Sequence, residues 1–289
     1  MASPLISNAQ VKNETVAFLG EFTGTLLFLF TAFAALQTAQ DRAAAEPINA
    51  SAKPGIATLL YVATAFGYAL GVNCWLFFRV SGGMFNPAVA LGLFLCGAIP
   101  SIRLATVFIA QIMASVAVSW LLEALLPGEL QVGTTLAPSI SLAQGVFIEM
   151  FLTMQLMIAI LLLAVEKHKA THLAPLGIGF ALFVGHLAGV YFTGASLNPA
   201  RSFGPATVSG FSADHWVYWV GPITGAAVAS GVWRLLRKLQ YQTANPGQDF
   251  DDLEAERFVI PVHAAREVEV RRPIVGRVVT AGSVVKTDH

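Results

Sequence analysis

The chain has 289 residues, of which 55% are hydrophobic and 12% charged, and its mean hydropathy is +0.66. That is too apolar for an ordinary soluble domain, and 17 Lys plus Arg against 17 Asp plus Glu leave no net charge to attract a nucleic acid or an acidic substrate. The partner implied is the lipid bilayer, not nucleic acid.

Polar residues 1–14 precede the first apolar run and are expected to stay in the cytoplasm. Crossing a hydrocarbon core of roughly 30 Å takes about 20 apolar residues in a helix. Six stretches qualify: 15–37, 56–78, 102–126, 142–165, 174–192 and 214–236. The first is too long for a signal-peptide core and has no obvious cleavage site, so it is expected to persist as a membrane helix. Two further segments, from Asn86 to about Cys96 and from Asn198 to about Thr207, begin with the same tripeptide. At 1.5 Å per residue a segment of ~10 residues reaches only ~15 Å, half the membrane. The connectors 39–55 and 127–141 hold prolines and polar residues, and 166–171 is a compact charged turn. Residues 239–289 carry charge and no apolar run of spanning length, and read as a flexible cytoplasmic tail.

Lys and Arg in short loops mark the cytoplasmic side. Lys12, Arg79, Arg103, Lys167, Lys169, Arg234, Arg237 and Lys238 fall on one face, against Arg42 and Lys53 on the other, so both termini are expected in the cytoplasm. Asn49, in Asn-Ala-Ser, then lies outside as a candidate glycosylation site, whereas Asn13 matches the pattern on the cytoplasmic side. Cys74 and Cys96 sit in apolar stretches without metal-ligand spacing, so they read as small core residues, and no metal or cofactor is expected.

Gly-Gly-Met-Phe-Asn-Pro-Ala at 82–88 and Gly-Ala-Ser-Leu-Asn-Pro-Ala at 194–200 stand 112 residues apart, and each half opens with Glu-x-x-x-Thr, at Glu21 and Glu149. Three spans per half force the copies into opposite orientations, an inverted repeat with its transport site near midplane. The fold class is therefore an all-α membrane protein of six transmembrane helices and two re-entrant half-helices. Asn is a favoured helix N-cap and Pro suits the next position, so Asn86-Pro87-Ala88 and Asn198-Pro199-Ala200 are helix starts. With each Oδ1 capping its own helix, the amide NH2 groups are left to donate into a lumen. The loops 79–85 and 191–197 are expected to line it with carbonyl oxygens. Arg201 and His186 are ionisable groups at membrane depth and functional candidates on that ground; so are Glu21 and Glu149. Gly20 with Gly24, Gly67 with Gly71, Gly185 with Gly189 and Gly221 with Gly225 allow close helix crossings.

Paired Asn-Pro-Ala motifs in six spans, Ser-Gly-Gly at 81–83 before the first and Ala-Arg-Ser-Phe-Gly-Pro at 200–205 ending the second, resemble the aquaporin (major intrinsic protein) family over residues 15–238. The resemblance is to the orthodox water-channel type, fungal-like members included. Met84 departs from it, standing where many relatives have His. The resemblance implies a homotetramer with one pore per subunit in the plasma membrane, and no enzyme. It aligns Phe66, His186, Ala195 and Arg201 with a four-residue selectivity constriction, and gives Glu21, Glu149 and Gln111 the task of holding the irregular loops. A glycerol-conducting relative would more often have Gly in place of His186 and Asp in place of Ser202. Ala195 puts no thiol at that point, so mercurials are expected to act weakly there. The function implied is passive, single-file conduction of water with exclusion of protons and ions. Two alternatives stay open: a broader channel passing glycerol, hydrogen peroxide or other small neutral solutes, and a proton-coupled secondary transporter using Glu21 or Glu149.

Overall fold

A computed structural model describes residues 8–45, 55–245 and 247–248. The Asn49 sequon and most of the tail 239–289 lie outside the described residues. The helices belong to one unit, Met1–Tyr241, and of the second, Gln242–His289, only 242–245 and 247–248 are described.

The first half consists of α1 (Asn8–Ala45), α2 (Ile56–Phe77), the short α3 (Pro87–Leu95) and α4 (Ser101–Leu125). The second repeats the plan with α5 (Leu142–Ile160), α6 (Ala174–Thr193), the short α7 (Pro199–Ser209) and α8 (Val217–Lys238). The two nine- and eleven-residue helices are the half-spanning segments anticipated from the repeated tripeptide. Among the described residues, five of the six long helices are both long and apolar enough to cross a membrane. The sixth, α8, has the length, 22 residues, but Arg234, Arg237 and Lys238 near its end, with Gly221, Pro222, Gly225 and Ser230 on its buried face, lower its hydropathy. Its small face is the reason it packs closely on α5. A Cβ on Gly225 would collide with the Met150 carbonyl, and one on Gly221 would come within 2.6 Å of Glu149 Cβ.

Three details depart from the sequence reading. The first span is longer than the apolar run 15–37, because α1 begins within the polar N-terminal segment and continues through 39–45, the expected start of the connector. The span 142–165 is not one regular helix, because α5 passes into a π-helical turn at Leu161–Val165 before Glu166, whose carboxylate accepts from Trp233 Nε1 at 2.8 Å and Arg237 Nη1 at 3.0 Å. The glycine pairs also divide by task. Gly67 and Gly71 meet Gly179 across the α2–α6 crossing, where a Cβ at Gly179 would sit 2.7 Å from the Gly67 carbonyl. Gly20 and Gly24, by contrast, face Ser81 and the Phe85 ring, and Gly185 faces Leu197, so these glycines make room for loops instead of helices.

Each half-helix is seated mainly against the opposite half: α3 packs on α8, and α7 on α4. Ser115 Oγ of α4 donates to the Ala200 carbonyl, and Ser230 Oγ of α8 donates to Gly92 O at 3.1 Å. The duplicated halves are thereby interlocked.

Candidate functional site

Each capping asparagine is extended, with φ −153°, and its Oδ1 accepts the first free amides of its helix: Ala88 N at 2.9 Å and Val89 N at 3.4 Å for Asn86, Ala200 N at 3.0 Å and Arg201 N at 3.4 Å for Asn198. Pro87 and Pro199 occupy the first helical position, where no N–H is needed. The amide nitrogens are not wholly free, as the sequence reading had them. Asn86 Nδ2 donates to Leu197 O at 2.7 Å and Asn198 Nδ2 donates to Phe85 O at 2.8 Å. An NH2 group carries two protons, so one on each side is committed to the opposite loop and one is left. The same bonds take the last carbonyl of each loop away from the lumen. The second loop is also shorter than expected, since α6 continues to Thr193 and the irregular backbone begins at Gly194.

Both loops follow one backbone path. Gly82 and Gly194 have φ of 105° and 77°, Gly83 and Ala195 have 64° and 49°, and Phe85 and Leu197 have 49° and 53°. Left-handed backbone at three non-glycine residues is uncommon and persists only where the surroundings hold it. Here a buried carboxylate does so in each half. Glu21 accepts Ser81 Oγ at 2.7 Å, Met84 N at 2.9 Å and Phe85 N at 2.8 Å, while Gln111 Nε2 donates to it at 2.7 Å. Glu149 accepts Thr193 Oγ1 at 2.6 Å, Ser196 N at 2.9 Å and Leu197 N at 2.8 Å.

Asn86, Asn198, Phe66, His186 and Arg201 line a single cavity of about 260 Å³ between the half-helices, whose remaining wall is mostly apolar. The Phe66 and His186 rings stack with centroids 4.3 Å apart. The Arg201 guanidinium lies 5.1 Å from the Phe66 ring centroid and 5.2 Å from that of Phe33, a cation–π arrangement, and its Nη1 donates to Val132 O at 2.6 Å. His186 Nδ1 pairs with Leu182 O at 3.0 Å, which turns Nε2 away; that atom and Arg201 Nε are buried with no hydrogen-bond partner among the described residues. Ala195 is buried against Gly189 on the helix that carries His186, and it does not line the cavity. Met84 and Cys74 do. Cys74 is thus more than a core residue: its Sγ donates to Gly83 O at 3.3 Å, where a loop carbonyl meets the cavity wall.

Several participants escaped the sequence reading. Ser81 and Thr193 stand 112 residues apart like the tripeptides, so a hydroxyl repeated at that offset was a legible signal for the loop-holding role. Thr134, Ser202 and Ser196 form a hydroxyl chain, at 2.8 and 2.6 Å, which has no counterpart in the first half and so left no repeat to read.

Six long helices in an inverted repeat, with two half-helices whose caps share one cavity, define a membrane channel built on paired re-entrant segments. Residues 8–233 match the family model described as "Major intrinsic protein". An "Aquaporin-5" of Botryotinia fuckeliana is 52% identical over 247 residues, covering 84% of this chain and 46% of that protein. An "Aquaporin-1" of Gibberella zeae is 48% identical over 245 residues, covering 85% of this chain and 76% of its own length. The chain spans about half the length of the first of these relatives. Among solved structures, the aquaglyceroporin from Plasmodium falciparum superposes with a TM-score of 0.61 at 20% identity, covering 77% of this chain and 97% of that one, a likeness of fold. The chain belongs to the major intrinsic protein family, whose members are channels and not enzymes, and it is an integral membrane protein.

Proposed function

We propose that the chain is a passive water channel in which water passes single file through the cavity between α3 and α7 while protons and ions are excluded. One observation carries the reading: both capping asparagines, His186 and Arg201 line the same, mostly apolar cavity. Each asparagine keeps one N–H for a passing water oxygen. The two half-helices direct about half a positive charge each toward the point where their caps meet, which disfavours hydronium and cations there. Arg201 adds a full charge and His186 Nε2 a polar contact, and Phe66 against His186 supplies bulk. Phe66, His186 and Arg201 form the proposed selectivity constriction, and Ala195, packed against Gly189 behind the wall, is proposed to shape it indirectly by leaving room for the helix that carries His186.

The transporter alternative is disfavoured because Glu21 accepts four protein donors and Glu149 three, and neither lines the cavity, which suits carboxylates that hold loops. The excess of Lys and Arg on one face supports cytoplasmic termini. Residues 15–238 are the channel domain, 1–14 and 239–289 its cytoplasmic flanks, and a plasma-membrane homotetramer is the proposed assembly. Stopped-flow swelling of proteoliposomes in parallel water and glycerol gradients is the test. Fast water flux with glycerol flux at the level of empty liposomes is expected; rapid glycerol entry would replace this reading with the broader pore.

A further inference from the structure

Arg201 is not held by its own half-helix alone. Its Nη1 donates at 2.6 Å to the carbonyl of Val132, a fully buried residue in the connector between α4 and α5, and connectors of this kind are ordinarily exposed and mobile. The stretch just before Val132 is fastened by side chains from two helices. Gln37, only 2% exposed near the far end of α1, accepts from Gln131 N at 2.7 Å through Oε1 and donates to Glu129 O at 3.3 Å through Nε2, so one carboxamide grips the backbone on both sides of Leu130. Asp41 Oδ1 accepts from the same Nε2 at 2.9 Å and orients the amide. Glu123, near the end of α4, accepts from Leu130 N at 2.9 Å through Oε2. Leu130 and Val132 are both buried, and these side chains together with Arg201 bond Glu129 O, Leu130 N, Gln131 N and Val132 O of that segment.

A buried glutamine in an apolar helix needs a reason, because an amide taken from water without partners is strongly unfavourable. The apolar packing of α1 does not require one at position 37. What it fits is the spacing of two backbone groups, Gln131 N–H and Glu129 C=O, one and three residues before the carbonyl on Arg201. We propose that Gln37, assisted by Glu123, is a positioning residue for selectivity: it fixes connector residues 129–131 so that the Val132 carbonyl holds the Arg201 guanidinium at the constriction. The inference rests on the reading of Arg201 as a selectivity residue.

The full chain in proteoliposomes serves as the assay, with the ratio of glycerol to water permeability as readout. Gln37→Met keeps the side-chain length and removes both backbone bonds; the ratio is expected to rise roughly tenfold or more, because two backbone groups each lose a partner. Glu123→Ala, which loosens the same segment from another helix, is expected to move the ratio in the same direction, and Glu123→Gln, which still offers an oxygen to Leu130 N–H, to restore it. A purely structural glutamine would lower the amount of assembled channel and leave the ratio per channel unchanged, and that result overturns the proposal. Should Gln37→Met not assemble, the Glu123 pair decides in the same way. Arg201→Val separates the two levels of inference. If it leaves the ratio unchanged, the underlying selectivity reading has failed; if it raises the ratio while Gln37→Met and Glu123→Ala do not, only the positioning role has. On the Arg201→Val background Gln37→Met is expected to add nothing, and an additive effect counts against the proposal.

Discussion

Replacing Glu149 offers a direct measure of what the buried carboxylates do. Its two oxygens accept from Thr193 Oγ1, Ser196 N and Leu197 N, all within 2.9 Å, and Leu197 has φ 53°. In Glu149→Gln one oxygen remains. Whichever way the amide is turned, its NH2 faces one backbone N–H, while the Thr193 hydroxyl can rotate to suit. One buried donor is therefore left without an acceptor, at about 1–3 kcal/mol. Glu149→Ala strands both backbone donors and releases the constraint on a left-handed Leu197, so about 3–6 kcal/mol is expected. Glu21→Gln should match Glu149→Gln, because Gln111 can turn its carboxamide to meet the new NH2 and again a single backbone N–H, of Met84 or Phe85, is lost. Equilibrium unfolding in mixed detergent micelles, followed by tryptophan fluorescence, ranks the variants. Alanine and glutamine variants of equal stability would refute the argument that backbone donors, counted one by one, set the cost.

Arg201→Val combined with His186→Ala removes charge and bulk from the cavity, and should admit glycerol or ions that the parent excludes; unchanged selectivity in proteoliposomes would count against the assignment of the constriction. Gly179→Val places a side chain against the Gly67 carbonyl and Gly71 Cα, so α2 and α6 must separate, with a loss of about 1–3 kcal/mol or more visible as a lower thermal unfolding midpoint. Cys74 lines the cavity, whereas Cys96 does not, so any mercurial block of water flux should vanish in Cys74→Ser and persist in Cys96→Ser.

How much of this was legible beforehand depends on whether a contact is local or repeated. The half-helix starts at Pro87 and Pro199 were readable because the cap, the proline and the helix are neighbours in sequence. The carboxylate pair was readable because duplication wrote Glu21 and Glu149 into equivalent places. The π turn at 161–165 was not, since an apolar run is equally compatible with either helical register. Gln37 was invisible for a different reason: its partners lie some ninety residues away in a connector whose course no periodicity describes. The commitment of Asn86 and Asn198 to each other's loops was likewise hidden, because it exists only once the two halves face one another.

That exchange has a bearing on how the protein is made. A nascent chain that has emerged only as far as α4 carries an asparagine amide at 86 and a carbonyl at 85 whose counterparts, at 197 and 198, have yet to be synthesised. The first re-entrant loop thus cannot reach its final state on its own inside a lipid environment, where unpaired peptide groups are severely disfavoured. Its completion has to wait for the ribosome to deliver the other half, which makes membrane insertion and maturation of this channel separate events in time.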